Sequence, residues 1–182
     1  MKKNILTYGL ISGTIVSAIM LFSMNYFSHC EGTVDYTTSM LIGYASMLLS
    51  FSLVFVGVKN YRDKFNGGFI TFGKAFQIAI LMVLIASTMY VISWVIDYFF
   101  FMPDFMDKYA ETMIQNLKDS GASAAEVEAK TKEMAVFAER YKNPLFTAMM
   151  SYMEILPIGI VVALITSLIL RKKPSQPAID TM

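Results

Sequence analysis

Hydrophobic residues along the chain form four long uninterrupted runs, separated by short polar segments and by one longer polar segment. The runs cover about residues 5–27, 39–58, 72–101 and 145–170. A helix rises 1.5 Å per residue, so about 20 residues cross a hydrocarbon core of about 30 Å. None of the runs alternates polar and apolar residues as a barrel strand does. The pattern predicts an all-α, polytopic membrane protein with four transmembrane helices.

The first run follows Lys2 and Lys3, where a secretory signal would lie. Its apolar stretch is longer than the roughly 7–15 residues of such a signal, and no suitable small-residue cleavage site follows it. We therefore interpret it as a retained spanning helix. Residues 1–173 then form a single transmembrane domain, and the proline-containing tail 174–182 is predicted to be disordered.

The polar segment from about residue 104 to 142 predicts a helical hairpin. Apolar residues recur at helical spacing in its first half, at Phe105, Tyr109, Met113 and Leu117. Gly121 interrupts this pattern, and Ser123 and Glu126 then have the spacing of a capping box. The apolar residues of the second half share one helical face: they are Val127, Met134, Phe137, Ala138 and Tyr141.

Basic residues are distributed unequally between the polar segments. With a cytoplasmic N-terminus, both termini and the segment around residues 59–74 are inside, and the hairpin is extracytoplasmic. The inner segments then contain nine of the 15 Lys and Arg residues, which is the positive-inside pattern. This distribution predicts a multi-pass membrane protein with both termini in the cytoplasm.

Composition limits the possible functions. The chain of 182 residues is 55% hydrophobic and 16% charged, with a formal net charge of +1, which argues against nucleic-acid binding. A single cysteine, Cys30, and a single histidine, His29, cannot form the usual four-ligand zinc site. We interpret the segment from His29 to Asp35 as a solvated loop. No nucleophile–base pair is visible, so we expect no enzyme activity, no metal and no cofactor.

Small residues recur every four positions on two of the spans. They are Gly9, Gly13 and Ser17 on the first span, and Gly159, Ala163 and Ser167 on the fourth. Such stripes let helix backbones approach closely in a membrane. We expect intramolecular helix contacts at both stripes, with self-association as the alternative.

Glu154 is the candidate polar site within the membrane. It lies inside the fourth apolar run, where an ionisable side chain costs about 2.5–3.5 kcal/mol on insertion scales. Pro157 follows and removes a backbone donor, which favours a kink. Asp97, near the end of the third span, could share a proton or cation site with Glu154. The alternatives are a packing role for Glu154, through a neighbouring Tyr or Ser or at a wet interface, and a partner-binding role.

The cytoplasmic turn between the second and third spans carries a distinctive motif. It reads Tyr61-Arg62-Asp63 and then Gly67-Gly68-Phe69-Ile70-Thr71-Phe72-Gly73-Lys74-Ala75-Phe76. We expect Arg62 to pair with lipid phosphate and Asp63 to cap the following turn, so that the motif fixes the re-entry into the membrane. Docking of a cytoplasmic partner is the alternative.

This turn, the Glu154…Pro157-x-Gly159 stretch and the basic stop resemble the bacterial family called Domain of Unknown Function 4199, over about residues 2–173. The resemblance implies a four-span inner-membrane protein and no particular reaction. Our leading hypothesis is a non-enzymatic accessory or scaffold protein that binds a protein partner through residues 104–142. The alternative is a small oligomeric transporter or ion-coupled permease that uses Glu154.

Overall fold

The computed structural model describes residues 1–29 and 36–173, and side chains at 1–25 and 41–173. Our predictions for the loop 30–35 and for the tail 174–182 lie outside the described residues. The described helices are α1 (Lys2–His29), α2 (Tyr36–Asn60), a π-helical turn (Tyr61–Phe65), α3 (Phe72–Phe100), α4 (Phe105–Asp119), α5 (Ala124–Tyr141) and α6 (Pro144–Leu170).

Four of these helices, α1, α2, α3 and α6, are long and apolar enough to cross a membrane. They coincide with the four hydrophobic runs, so the predicted all-α membrane fold is confirmed. Large apolar side chains remain exposed on them, including Phe22, Leu49 and Ile169. A soluble protein rarely exposes apolar surface on this scale, whereas lipid covers it at no cost.

The chain divides into two compact units, Met1–Tyr90 with Glu154–Met182, and Val91–Met153. In the first unit α1 and α2 run antiparallel. Ser12 Oγ donates to the Ser50 carbonyl at 2.7 Å, and Asn60 Nδ2 donates to the Tyr8 hydroxyl at 2.9 Å. From Tyr8 to Ser12 the chain advances along α1, whereas their partners go back along α2 from Asn60 to Ser50, so the two helices point in opposite directions.

Two glycines bring α1 against α3. A Cβ built on Gly9 would lie 3.0 Å from Cβ of Ile85, and one built on Gly13 would lie 2.6 Å from Sδ of Met89. The contact advances by four residues on α1, from Gly9 to Gly13, and by four residues on α3, from Ile85 to Met89. The two helices therefore run parallel. Small side chains here allow the close approach that membrane helices need in the absence of a hydrophobic driving force.

The stripe of small residues on α6 faces the inside of the first unit. A Cβ on Gly159 would clash with Cγ1 of Val83 on α3 and would lie 3.2 Å from the Phe51 ring on α2. Ala163 and Ser167 are fully buried on the same face, and Ser167 Oγ donates to the Ala163 carbonyl at 2.6 Å. Thus α6 packs on both α2 and α3.

The second unit contains the predicted hairpin. Gly121, with φ of 82°, makes the turn between α4 and α5 in a conformation that residues with a Cβ rarely adopt. The capping box predicted at the start of α5 is present, because Ser123 and Glu126 bond each other's backbone N–H groups. Met106 and Met134 are the buried residues of the two hairpin helices.

Candidate functional site

The turn motif between α2 and α3 forms a compact ion pair that is joined to the end of α6. Arg62 Nε donates to Asp63 Oδ1 at 2.6 Å, and a second guanidinium nitrogen reaches Asp63 Oδ2 at 3.2 Å. Arg62 also donates to the Leu170 carbonyl at 3.3 Å. This carbonyl belongs to the last turn of α6, where helix acceptors lack intrahelical partners. Arg62 thus connects the π-helical turn to α6.

The structure gives the motif protein contacts that its sequence does not reveal. Arg62 donates to Asp63 and to the Leu170 carbonyl, and its pairing with lipid phosphate stays a prediction. We expected Asp63 to cap the following turn, whereas Thr71 Oγ1 accepts from the Lys74 N–H in the first turn of α3, at 3.3 Å. The reason is tertiary, because α6 brings a free carbonyl to Arg62 from 108 positions away.

The two glycines of the motif make the reversal after the π-helical turn possible. Gly67 and Gly68 have φ of 64° and 83°, which side chains with a Cβ rarely adopt. The Gly68 N–H donates to the Arg62 carbonyl at 2.9 Å. The motif residues Tyr61, Arg62 and Asp63 are therefore held together with the glycine pair in one closed loop.

A short antiparallel bridge follows the glycine turn. The Ile70 N–H donates to the Lys172 carbonyl at 3.0 Å, and the Lys172 N–H donates to the Ile70 carbonyl at 2.9 Å. Lys172 Nζ lies 5.7 Å from the centre of the Phe69 ring, within range of a cation–π interaction. Sequence analysis missed this bridge, because no local pattern marks a two-residue pairing between distant segments.

Glu154 lies on the outward face of α6. It is exposed, as are Val161 and Leu168, which follow it on the same helical face. The buried stripe of Gly159 and Ala163 lies on nearly the opposite face. Glu154 is ten positions after Pro144 and 16 before Leu170, or about 15 Å and about 24 Å along the axis. No hydrogen bond or ion pair joins Glu154 to another described residue.

Pro157 and Asp97 are the other two residues of the candidate membrane site. Pro157 is exposed within α6, and the helix continues through it. Its ring removes the donor for the Met153 carbonyl. Asp97 is half-buried near the end of α3 and belongs to the second unit, whereas Glu154 belongs to the first.

Polar and small residues inside the first unit include some that sequence analysis missed. A Cβ on Gly57 would lie 2.8 Å from Cγ of Tyr8 and 2.8 Å from Sδ of Met82. Gly57 therefore lets both α1 and α3 pack closely against α2. The residues four positions before and after Gly57 are Leu53 and Tyr61, so no stripe of small residues marks this contact in the sequence. Ser17, the last member of the α1 stripe, and Ser87 are buried with hydroxyl groups that have no partner among the described residues.

Aromatic rings hold the second unit together. Trp94 and Tyr98 of α3 meet Phe105 of α4 with ring centres 5.0 Å and 6.2 Å apart, and Tyr98 lies 5.4 Å from Tyr141 of α5. Phe146 of α6 closes the cluster at 6.0 Å from Tyr141. Edge-to-face pairs of this kind add about 0.5–1.5 kcal/mol each beyond the buried area. The apolar face predicted for α5 is thus directed inward.

The opposite face of α5 is exposed and carries paired charges. Lys132 Nζ lies 2.6 Å from Glu128 Oε1, four positions earlier on the helix. Val136, 55% exposed, follows Lys132 on this face, and Ala129 is exposed beside them. We call this the α5 outer face; it consists of Ala125, Glu128, Ala129, Lys132, Val136 and Glu139. In the described part of the chain, no group of three or more His, Cys, Asp or Glu residues is placed to hold a metal ion.

Comparisons with known proteins identify a family. Residues 7–172 match the family model described as "Protein of unknown function (DUF4199)". The match covers most of the chain, and the chain therefore belongs to this family. Neither the comparison with curated proteins nor that with solved structures gives a match.

Proposed function

We propose that this member of the DUF4199 family is a non-enzymatic accessory or scaffold protein of a bacterial inner membrane, which binds a protein partner through the α5 outer face. The observation that carries the proposal is the difference between the two faces of α5. The apolar face packs in the aromatic cluster through Tyr141, whereas the α5 outer face is exposed and combines paired charges with Val136.

The orientation in the membrane is part of the proposal. The segment 59–74 and the end of α6 carry Lys and Arg, and cytoplasmic segments are rich in these residues. One membrane crossing, α3, separates that segment from the hairpin along the chain. Both termini are then cytoplasmic, and the hairpin and its partner are extracytoplasmic.

A partner-binding hairpin is favoured by its construction. The α4–α5 turn and the capping box are local features that stabilise the hairpin before any partner binds. A preorganised surface loses little conformational entropy on association. The α5 outer face also contains small residues, Ala125 and Ala129, which permit close approach of a partner backbone.

Site-specific photo-crosslinking tests the proposed surface. A photoreactive residue replaces Val136 on the α5 outer face and, as the matched control, replaces the exposed Asn116 of α4. We expect one protein to crosslink at position 136, and its stoichiometric copurification to be lost in Val136→Glu and retained in Asn116→Glu. The proposal fails if position 136 crosslinks only to lipid and no partner copurifies with the wild-type chain.

The second candidate function is a small oligomeric transporter or ion-coupled permease. Its support is the ionisable side chain of Glu154 about 15 Å along a spanning helix. Because Glu154 lies on the outward face of α6, a pathway that uses it would lie between chains. This function predicts that Glu154→Gln abolishes a proton- or ion-driven flux in proteoliposomes, while Val136→Glu leaves the flux unchanged. A flux equal to that of empty vesicles for the wild-type chain argues against it.

A further inference from the structure

One end of the first unit gathers a high positive charge. The antiparallel and parallel contacts described above place four chain segments there: the start of α1, the end of α2 with its π-helical turn, the start of α3, and the end of α6. Nine of the chain's 15 Lys and Arg residues lie in these segments. We call this surface the basic end; it consists of Lys2, Lys3, Lys59, Arg62, Lys64, Lys74, Arg171, Lys172 and Lys173.

Specific bonds hold the segments of the basic end close together. The Ile70–Lys172 bridge places the start of α3 beside the end of α6. Arg62 bonds the Leu170 carbonyl, so Arg171 lies between two fixed points. Lys64 follows Arg62 by two positions and Lys74 follows Ile70 by four, and a residue spans at most about 3.6 Å. The backbones of Lys64, Lys74 and Arg171 therefore lie at the same end of the first unit.

The charge of the basic end is not balanced by the protein. Asp63 is the one acidic residue in its described segments, and it is engaged by Arg62. No salt bridge with a described residue forms at Lys64, Lys74 or Arg171. Several like charges at short distance repel one another unless a counter-anion lies among them. A ligand of the basic end is thus anionic.

Exposed aromatic rings lie among these cations. Phe65 is 63% exposed directly after Lys64, and Phe72 is 36% exposed two positions before Lys74. An aromatic ring beside a cation suits the boundary of a bilayer, where the ring contacts acyl chains and the cation contacts the headgroup. A soluble phosphate would use the charge but would leave the rings in water.

We propose that the basic end is a binding surface for anionic phospholipids, with Lys64, Lys74 and Arg171 contacting the headgroup phosphate and with Phe65 and Phe72 beside the acyl chains. The Arg62–Asp63 pair and the Ile70–Lys172 bridge hold these cations in place before lipid binds. The surface belongs to the first unit, so this inference does not depend on a partner of the hairpin.

Lipid exchange on the purified full-length chain tests the inference. The protein is delipidated and exchanged into nanodiscs of phosphatidylcholine, alone or mixed with phosphatidylglycerol. Retained lipids are counted by native mass spectrometry, and thermal stability is followed. We expect phosphatidylglycerol to be retained in preference and to raise Tm, since a ligand that binds only the folded state stabilises it.

The variants compare equal losses of charge at two places. Lys64→Gln/Lys74→Gln/Arg171→Gln removes three cations from the basic end, and the matched control Lys108→Gln/Lys118→Gln/Arg140→Gln removes two Lys and one Arg from the hairpin. We expect the first variant to bind phosphatidylglycerol at least about tenfold more weakly. The control should retain wild-type binding. If the first variant does not fold, about 0.5 M NaCl should weaken phosphatidylglycerol binding to the wild-type chain.

Three results would overturn the inference. The first is equal retention of phosphatidylcholine and phosphatidylglycerol by the wild-type chain. The second is an equal loss of phosphatidylglycerol in both triple variants, which would show an effect of net charge alone. The third is the same rise of Tm with inorganic phosphate in phosphatidylcholine nanodiscs, which would show an anion site that does not recognise lipid.

Discussion

The backbones of Ile70 and Lys172 donate hydrogen bonds to each other in both directions, at 2.9 Å and 3.0 Å. Ile70 precedes α3, and Lys172 follows α6. The Ile70 side chain is 2% exposed, so the bridge is also packed. This pairing joins the segment before the third span to the segment after the fourth.

Shortening the Ile70 side chain should destabilise the first unit in proportion to the volume removed. We expect Ile70→Val to cost about 0.5–1.5 kcal/mol and Ile70→Ala about 2–5 kcal/mol, because a buried cavity adds to the lost burial. Unfolding in mixed detergent micelles measures the free-energy change. The exposed Lys173→Ala is the control, and an Ile70→Ala variant as stable as this control would contradict the packing described here.

Gly13 and Gly43 provide a comparison of two helical glycines. A Cβ on Gly13 would lie 3.0 Å from the Ala86 backbone, whereas a Cβ on Gly43 meets nothing within 4 Å. We expect Gly13→Ala to lose about 1–3 kcal/mol by separating α1 from α3. Gly43→Ala should be neutral or gain up to about 1 kcal/mol. Equal effects of the two changes in the same unfolding assay would refute the proposed close contact.

Removal of the α5 cap should weaken the hairpin locally. In Ser123→Ala the Glu126 N–H loses its acceptor, the Ser123 Oγ at 3.4 Å, and the hairpin should lose about 1 kcal/mol. Trp94, the chain's single tryptophan, contacts Phe105 in the aromatic cluster, so its fluorescence reports on unfolding of the second unit. Ser52→Ala, at an exposed position of the first unit, is the control. A Trp94 transition identical to wild type in Ser123→Ala would contradict the prediction.

Stability of the hairpin should also depend on pH through Glu126. The backbone N–H and the hydroxyl of Ser123 donate to this carboxylate, and they lower the pKa of Glu126 below its ordinary value of 4.5. A lowered folded-state pKa stabilises the fold above the unfolded-state pKa, and this contribution is lost as pH falls through the folded-state pKa. Between about pH 6 and about pH 3, the Trp94 transition of the wild-type chain should therefore weaken more than that of Glu126→Gln. Glu111→Gln, on the exposed side of α4, should behave like wild type.

Glu154 and Ser12 should differ in their effect on folding. Glu154→Gln should leave the Tm of the detergent-solubilised chain nearly unchanged, because the exposed carboxyl group bonds no described residue. Ser12→Ala should lower stability by about 1 kcal/mol, because the buried Ser50 carbonyl loses its 2.7 Å donor. A large loss of stability in Glu154→Gln would indicate that this residue packs within the bundle.

Cysteine labelling tests the proposed orientation. In a Cys30→Ser chain, Asn116→Cys on α4 and Lys64→Cys after α2 provide two exposed reporters. A membrane-impermeant maleimide should label position 116 in intact spheroplasts, and position 64 only after permeabilisation. The reverse pattern would place the basic end outside and would refute the orientation.

The four spans, the hairpin and its capping box could be predicted from the sequence, because each depends on neighbours along the chain. Uninterrupted apolar runs need a lipid environment whatever their partners, and a capping box closes within four residues. The small-residue stripes indicated which faces could pack closely, but they did not identify the partner helix. That choice depends on side chains such as Ile85, Met89 and Val83, which lie more than 70 positions from their glycines.

Only the tertiary structure decided the roles of Arg62, Ile70 and Glu154. The partners of Arg62 and Ile70 include Leu170 and Lys172, about 100 positions away, and no local pattern encodes such contacts. The sequence identifies Glu154 as an ionisable residue within an apolar run. Because that helix is apolar on every side, the sequence does not predict which face packs against the other helices. The outward direction of Glu154 was set by the packing of Gly159 and Ala163 against the other helices, because burial of one helical face determines where the opposite face points.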